Sequence, residues 1–550
     1  MTKKNKKIKY FFLIILSVMS IFIIINNCNI LKKDNRSLQE DSFGYFFISK
    51  HMYKSLQEEP FTQTIKNFND IYFKSDPPMI VFQAILLYPL FGATQDTALL
   101  SISFSFILIV FGLYFLGEKI INVYVGFFSA FFVFFIPGIR YFSRNFNSAI
   151  ILSSFIILSA LFLLHSKFFK KRNFSILFGI SFALGMMTKI TFFIYITPLI
   201  VILILQKLID KKFNIKNVFN NKRIKNIFLS LIIIFLIISP WYFSNINKIT
   251  TSSKVVFQVG KNIQKITDVD YSIYYILLRI FLIPTIIGII YFFITENIFK
   301  IKKQNKKYTP IIIWIISCIL ILKILPSNNR YIVPLLPLMC IIIGGLYFEI
   351  IEKIIYIIKK EKNKSIIFII FTFVLLTFLL KYTDKNDSKF VNTLGNNYYN
   401  YETGIINSKK FEINHKNIHD TIQNLHDEKN ITNVLMMQFS HLGEVIKLSY
   451  REGDIIFHSP FSCEPMCNEY NLIKNIDEYD LIIDSDINFP ENKQNMISNF
   501  PIKEEKIKNI FTRWQENKEK YELIKKLENV PLYNFQNGTL YFYIKKNINS

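Results

Sequence analysis

The stretch Ser75–Gly92, SDPPMIVFQAILLYPLFG, contains one apolar segment, Met79–Phe91, and whether that segment crosses a membrane decides the side on which every later loop falls. A helix rises 1.5 Å per residue, so its roughly 13 residues reach only about 20 Å, short of the ~30 Å of a hydrocarbon core. It therefore reads as a helix lying at, or dipping into, one membrane surface. The runs on either side are different. Residues 1–9 are basic and 10–25 are unbroken apolar sequence, followed by Asn26, Asn27, Cys28 and Asn29 and not by a small-residue cleavage site; this is a retained first span. Toward the C-terminus, apolar runs occupy 97–116, 121–137, 148–164, 174–188, 191–205, 226–243, 271–293, 308–325, 331–350 and 365–380. With the first run, they make about eleven spans.

Charge confirms the reading of Met79–Phe91. Lys and Arg in short loops stay on the cytoplasmic side. If residues 1–9 are inside, strict alternation puts the basic clusters 167–172, 207–225, 300–307 and 353–364 inside as well. The loops of the other set are poor in such clusters, apart from the long first loop. Counting Met79–Phe91 as a crossing would turn every later loop inside out.

The composition agrees. Of 550 residues, 51% are hydrophobic and 57 are Phe, more apolar surface than a soluble fold could bury. Lys+Arg 65 against Asp+Glu 40 gives a formal charge of +25, but the basic residues sit in membrane-flanking loops, so no nucleic-acid partner is expected. Five Cys exclude a disulfide scaffold. From Lys381 the chain turns polar. Apolar β-type runs at 433–439, 454–457, 481–483 and 540–544 alternate with amphipathic helical stretches such as 503–528, a pattern that suggests a small α/β domain. The expected fold is thus a polytopic α-helical membrane domain, 1–382, with its first outer loop at 32–78, followed by an extracytoplasmic α/β domain, 383–550.

This topology gathers the unusual polar residues on the outer side: Asp41, Lys74, Asp76, the Pro77-Pro78 pair, Arg140, Arg144, Lys189, Trp241 and Arg330. Carboxylates beside fixed cations at helix mouths suit one chemistry. A hydroxyl nucleophile is deprotonated by the acid while the cations stabilise the charge on a departing phosphate. The competing reading of each cation is an interfacial anchor.

In order and content these segments resemble GT-C membrane glycosyltransferases of the protein O-mannosyltransferase and lipid A aminoarabinose transferase type. An acid with a Tyr four positions on, Asp41 and Tyr45, follows the first span. Then come SDPPMIVFQAILLYPLFG, RYFSRNFNS from Arg140, FALGMMTK ending at Lys189, Pro240-Trp241-Tyr242, and NRYIVPLLPLMCIIIGG from Asn329. The resemblance covers about residues 9–346 and implies an inverting transfer of sugar from a polyprenyl-phosphate donor, held in membrane lipid, to a hydroxyl of a glycan, lipid or protein acceptor.

It also implies roles. Asp41 matches the family's essential acid, the general base for the acceptor; Glu40 takes that place if the register slips by one, and a helix cap is the plainer alternative. Arg330 and Lys189 would bind the donor phosphate. The family's Lys before the prolines is here Asp76, a second acid, an acceptor contact or a turn residue, while Lys74 lies two residues earlier. Where some relatives place a metal-binding acid, this chain has Asn145 and Asn147, oxygen donors without charge, so a divalent metal is left open. Trp241 and Tyr242 read as an aromatic-belt pair. In the tail, Cys463 and Cys467, with His458 upstream, are either a disulfide or two thiols; their spacing fits no common zinc finger. The expected location is a bacterial plasma membrane, with the N-terminus cytoplasmic. The reading from another class is a transporter or lipid-glycan flippase, which would show charged span centres and repeated halves; neither is visible here.

Overall fold

The computed structural model describes residues 3–33, 40–60, 62–64, 77–209, 221–247, 305–324, 329–357, 421–436, 456–458, 479–485, 513–531 and 537–546. The expected spans 271–293 and 365–380 lie outside them, as do Lys74, Asp76, Cys463 and Cys467. The chain divides into two compact units. One is drawn from Met1–Ile30, Ser75–Gly92 and Asp96–Thr403, the other from Leu31–Lys74, Ala93–Gln95 and Gly404–Ser550.

The first unit is helical: α1 (Lys3–Lys33), the short pair α3 (Met79–Ile85) and α4 (Tyr88–Phe91), α5 (Gln95–Ile120), α6 (Val123–Val133), α7 (Pro137–Phe142), α8 (Ser148–His165), α9 (Arg172–Met186), α10 (Phe192–Ile209), α11 (Asn221–Ser244), α12 (Asn305–Ile324), and a 3-10 turn, Asn329–Leu335, that leads into α13 (Leu336–Ile357). Between α1 and α3, in the other unit, lies α2 (Glu40–Glu58). Among the described residues, five helices are long and apolar enough to cross a membrane: those over Lys6–Asn29, Gln95–Ile120, Ser148–His165, Asn221–Ser244 and Tyr331–Glu352. The run expected at 121–137 gives a shorter helix. Pro137 has no amide hydrogen to donate and restricts the residue before it, so α6 stops at Val133 and a turn leads into α7. At its other end Asn122 caps α6, accepting the amides of Tyr124 at 3.0 Å and Val125 at 2.9 Å.

Position in the bundle follows composition. Along α1, Tyr10, Ile14, Val18 and Phe22 are exposed, as are Phe228, Leu231, Phe235 and Leu236 on α11. Exposed apolar surface on this scale suits lipid tails. In contrast α8 is buried almost throughout, from Ser148 to Leu163. Backbones approach closely where glycine permits. A Cβ added at Gly126 of α6 would overlap the Tyr114 carbonyl of α5, and one at Gly344 of α13 would stand 2.7 Å from the Ser129 amide nitrogen of α6.

The side-chain contacts assign each helix end. Lys9 Nζ pairs with both Glu118 oxygens, at 2.8 and 2.7 Å, joining the start of α1 to the end of α5. At the opposite end, Asn27 Nδ2 donates to Ser103 Oγ and Ser143 Oγ, each at 3.4 Å, joining the end of α1 to the start of α5 and the approach to α8. Tyr124 at the start of α6 stacks on Phe348 of α13 at 5.4 Å. Asn226 of α11 donates to the Phe169 carbonyl at 2.8 Å. That bond holds the turn after α8, where Lys167, Phe168 and Phe169 all have positive φ, a strained conformation for residues with side chains. The Lys9 end therefore holds the basic loop 167–172 and the start of α11; the Asn27 end holds the prolines, the α9–α10 hairpin and the 3-10 turn.

The second unit contains a five-stranded sheet in the order β2-β1-β3-β5-β4, from β1 (Asn433–Met436), β2 (Ile456–His458), β3 (Leu481–Ser485), β4 (Tyr521–Pro531) and β5 (Asn537–Lys545). β1 runs parallel to β2 and β3, while β5 is antiparallel to β3 and β4. The Asp480 carboxylate accepts the amides of Thr432 at 2.9 Å and Asn433 at 2.8 Å, fixing the β1–β3 register. The helical stretch expected over 503–528 is corrected here. Residues 513–517 are helical, but Tyr521 starts a strand. Its apolar positions at 521, 523, 524 and 527 suit a helical stripe and equally a bulged strand, and β4 carries register shifts at Leu523/Lys525 and Leu527/Val530. Pairing with β5, and burial of Tyr521 beside Trp514 at 5.5 Å, favour the strand.

The close approach at Gly126 predicts that Gly126→Val costs about 1–3 kcal/mol through overpacking against backbone, read as a lower unfolding midpoint in detergent. At Gly112 an added Cβ would stand 2.7 Å from Cγ2 of the buried Ile157, with Leu158 at 3.8 Å, so Gly112→Ala should also cost about 1–3 kcal/mol through overpacking.

Candidate active site

The FALGMMTK segment forms the hairpin between α9 and α10, and its residue types follow from the turn. Gly185 lies under the ring of Phe192, where a Cβ would overlap the ring. Thr188 Oγ1 donates to the Leu184 carbonyl at 2.9 Å, answering one of the carbonyls a helix end leaves open. The amide of Lys189 reaches back to the Gly185 carbonyl at 3.2 Å, and the Lys189 carbonyl accepts the Phe192 amide at 2.9 Å. Lys189 thus has little backbone freedom.

Three other motif segments meet this hairpin. The Met79 amide, immediately after Pro77-Pro78, donates to the Met187 carbonyl at 3.0 Å. The Tyr242 hydroxyl, after Pro240-Trp241, donates to the Met186 carbonyl at 2.9 Å. Lys189 Nζ stands 5.1 Å from the centroid of the Tyr331 ring, an attractive geometry for a cation. Tyr331 is the neighbour of Arg330 in the 3-10 turn. That turn is itself anchored: the Tyr195 hydroxyl of α10 donates to the Tyr331 carbonyl at 2.6 Å, and the Tyr195 carbonyl accepts Trp314 Nε1 of α12 at 2.6 Å.

The short helix after the prolines is fixed from its side. Gln83 Nε2 donates to the Ser101 carbonyl and, at 2.9 Å, to Ser105 Oγ, while Ser105 Oγ donates to Gln83 Oε1 at 3.1 Å. This reciprocal pair ties α3 to α5. Leu86, Leu90 and Phe91 remain exposed, as expected of a helix that lies against lipid.

The expected site residues divide accordingly. Lys189 and the backbone of Arg330 come to one place, and Met79, which follows Pro77-Pro78, bonds to the same hairpin. Lys74 and Asp76 are outside the described residues. Glu40 and Asp41 occupy the first turn of α2, in the other unit, with the buried Tyr45 one turn on. Arg140 and Arg144 lie at the motif end of the bundle, where Arg144 Nε donates to the Arg140 carbonyl at 3.2 Å. Asn147 caps α8, its side-chain oxygen accepting the Ala149 amide at 3.0 Å. Among the described residues, no three His, Cys, Asp or Glu side chains group as metal ligands. The aromatic-belt reading is corrected for Trp241, which is buried, and Tyr242 closes the hairpin instead. Sequence reasoning missed Gln83, Tyr195 and Trp314. Gln83 was visible as the one amide in an apolar run, but the other two act across 119 and 136 residues of chain and carry no local signal.

A sequence family described as dolichyl-phosphate-mannose-protein mannosyltransferase matches residues 75–244, which hold the prolines, the RYFSRNFNS segment, the hairpin and Tyr242. The crystal structure of ArnT from Cupriavidus metallidurans bound to undecaprenyl phosphate is similar with a TM-score of 0.55 at 10% identity, covering 96% of this chain and 97% of that one. The chain has the GT-C fold. The Archaeoglobus fulgidus oligosaccharyltransferase in its apo form is similar at a TM-score of 0.50 and 11% identity, over 88% of this chain and 70% of its own. No curated protein sequence matches. This GT-C chain is a polytopic helical membrane protein that carries a C-terminal α/β region.

The Gln83 contacts predict that Gln83→Leu costs about 1–3 kcal/mol, the usual penalty for orphaning buried partners. Amide exchange over residues 79–91 should quicken, while exchange in α8 stays unchanged.

Proposed function

We propose that this protein is an inverting glycosyltransferase. It takes a sugar from a polyprenyl phosphate in the membrane and passes it to the hydroxyl of a glycan, lipid or protein acceptor on the extracytoplasmic side. The observation that carries this reading is the meeting of the proline segment, the Lys189 hairpin and the Arg330-Tyr331 turn at one end of the bundle, opposite the basic loops. The match of residues 75–244 to a family that uses a lipid-phosphate sugar supports it, and so does the fold shared with ArnT, whose crystal structure holds undecaprenyl phosphate.

In the proposed reaction, Asp41 removes the proton of the acceptor hydroxyl as its oxygen attacks the anomeric carbon. The bond from that carbon to the phosphate oxygen breaks on the opposite face, which inverts the centre. The electron pair leaves with the polyprenyl phosphate, and Lys189 and Arg330, assisted by Lys74, stabilise the added charge. Asp76 serves as a second acid or an acceptor contact, with Glu40 beside Asp41 as the alternative base. The basic loops face the cytoplasm by the positive-inside rule, so donor and acceptor meet on the other side. In this arrangement the domain 383–550 is extracytoplasmic, and residues 1–382 form the membrane domain.

Purified protein given radiolabelled polyprenyl-phosphate sugar tests the assignment. Asp41→Asn should lower transfer at least about a hundredfold, the usual share of a general base, without altering membrane insertion; full activity in that variant removes Asp41 from the mechanism. Lys189→Met should weaken use of the donor about tenfold, equivalent to roughly 1.4 kcal/mol.

A further inference from the structure

The antiparallel pairing in the C-terminal unit sets one residue from each of three strands side by side: Asp484 of β3 is opposite Tyr541 of β5, and Tyr541 is opposite Lys526 of β4. Directly paired residues share a face of the sheet, so a carboxylate, a phenol ring and an ammonium form one row. Asp484 Oδ2 accepts Trp514 Nε1 at 2.8 Å, which holds the carboxylate at a fixed place beside the ring. Lys526 Nζ stands 5.5 Å from the Tyr541 centroid. Two residues along the same face, Tyr543 lies 6.4 Å from Tyr541, with Lys518 Nζ 4.9 Å from its ring.

The two faces of β5 differ sharply. Leu540, Phe542 and Ile544 are buried, whereas Tyr541 and Tyr543 are half-buried and Lys526 is exposed. An exposed ammonium over an aromatic face is held weakly and moves aside readily. A sugar ring suits this row on every count. Its C–H face packs on an aromatic ring, one hydroxyl donates to a carboxylate, and another accepts from an ammonium. A phosphate-rich partner is disfavoured by the Asp484 carboxylate at one end of the row.

We propose that the Asp484, Tyr541 and Lys526 row binds a sugar ring of a saccharide. Calling that saccharide the acceptor rests on the glycosyltransferase reading above; the binding itself does not.

The test uses the full chain in lipid nanodiscs, without donor, against a panel of tri- to hexasaccharides built from hexose, N-acetylhexosamine, pentose and uronate units. At least one should bind saturably. Tyr541→Ala should weaken that binding about tenfold, as loss of an aromatic platform does, and Lys526→Met, on an exposed edge strand, should weaken it about threefold by loss of one hydrogen-bond donor. Tyr541→Phe keeps the ring and should retain binding within about twofold. Unchanged unfolding midpoints exclude misfolding as the cause. The proposal is overturned if no member of the panel binds, or if a bound saccharide is indifferent to both Tyr541→Ala and Lys526→Met. Donor-dependent transfer is measured in parallel. Binding without transfer leaves the row standing and removes the enzyme reading, whereas transfer that survives Tyr541→Ala at every acceptor concentration removes the row as the acceptor site.

Discussion

A membrane helix that is too short to cross must begin and end on the same side, and α3 with α4 obeys this. Met79 bonds to the α9–α10 hairpin, and Gln83 ties α3 to the early turns of α5. Both contacts lie at the end where α1 finishes near Asn27. The next long helix, α5, can therefore return to the starting end, where Glu118 meets Lys9. The direction of every later helix depends on this parity. One more crossing before α5 would separate the prolines from Lys189 and Tyr331 by the thickness of the bilayer.

At the motif end the backbone leaves regular helix in several places, and each departure exposes carbonyls that a low-dielectric setting would penalise. Tyrosine hydroxyls answer two of them: Tyr242 at Met186 and Tyr195 at Tyr331. These phenols combine an apolar body with a single donor at the tip, which suits positions between lipid and water. Lys189 and the Arg330 backbone then stand on segments held by side chains from α10, α11 and α12. In the proposed reaction, cations fixed in this way can stabilise a leaving phosphate without first reorganising.

The features legible in the sequence were those governed by local physics. Hydrophobic run length marked the long helices α1, α5, α8, α11 and α13 and set the short Met79–Phe91 apart from them, while the hairpin was read from the family resemblance of Phe182–Lys189. Pairing over long range was not legible. Tyr521 to Leu527 has apolar positions compatible with two periods, and only β5 and Trp514 select the strand. Trp241 has the composition of a belt residue, and only packing in the bundle shows it buried. The contacts of Tyr195 join residues more than a hundred positions apart, which no spacing rule exposes. Asp41 was named from the family resemblance, and its position falls in the first turn of α2.

The central claim is that the hairpin end and the basic-loop end open on opposite sides of the membrane, with the hairpin outside. Single cysteines in place of the exposed Ile190 and Lys170, in a chain whose five native Cys are replaced, test it most directly in intact cells with a membrane-impermeant maleimide. The account predicts labelling of Ile190→Cys from outside and of Lys170→Cys only after the membrane is opened. Labelling of Lys170→Cys alone in intact cells, or of both residues, would contradict it.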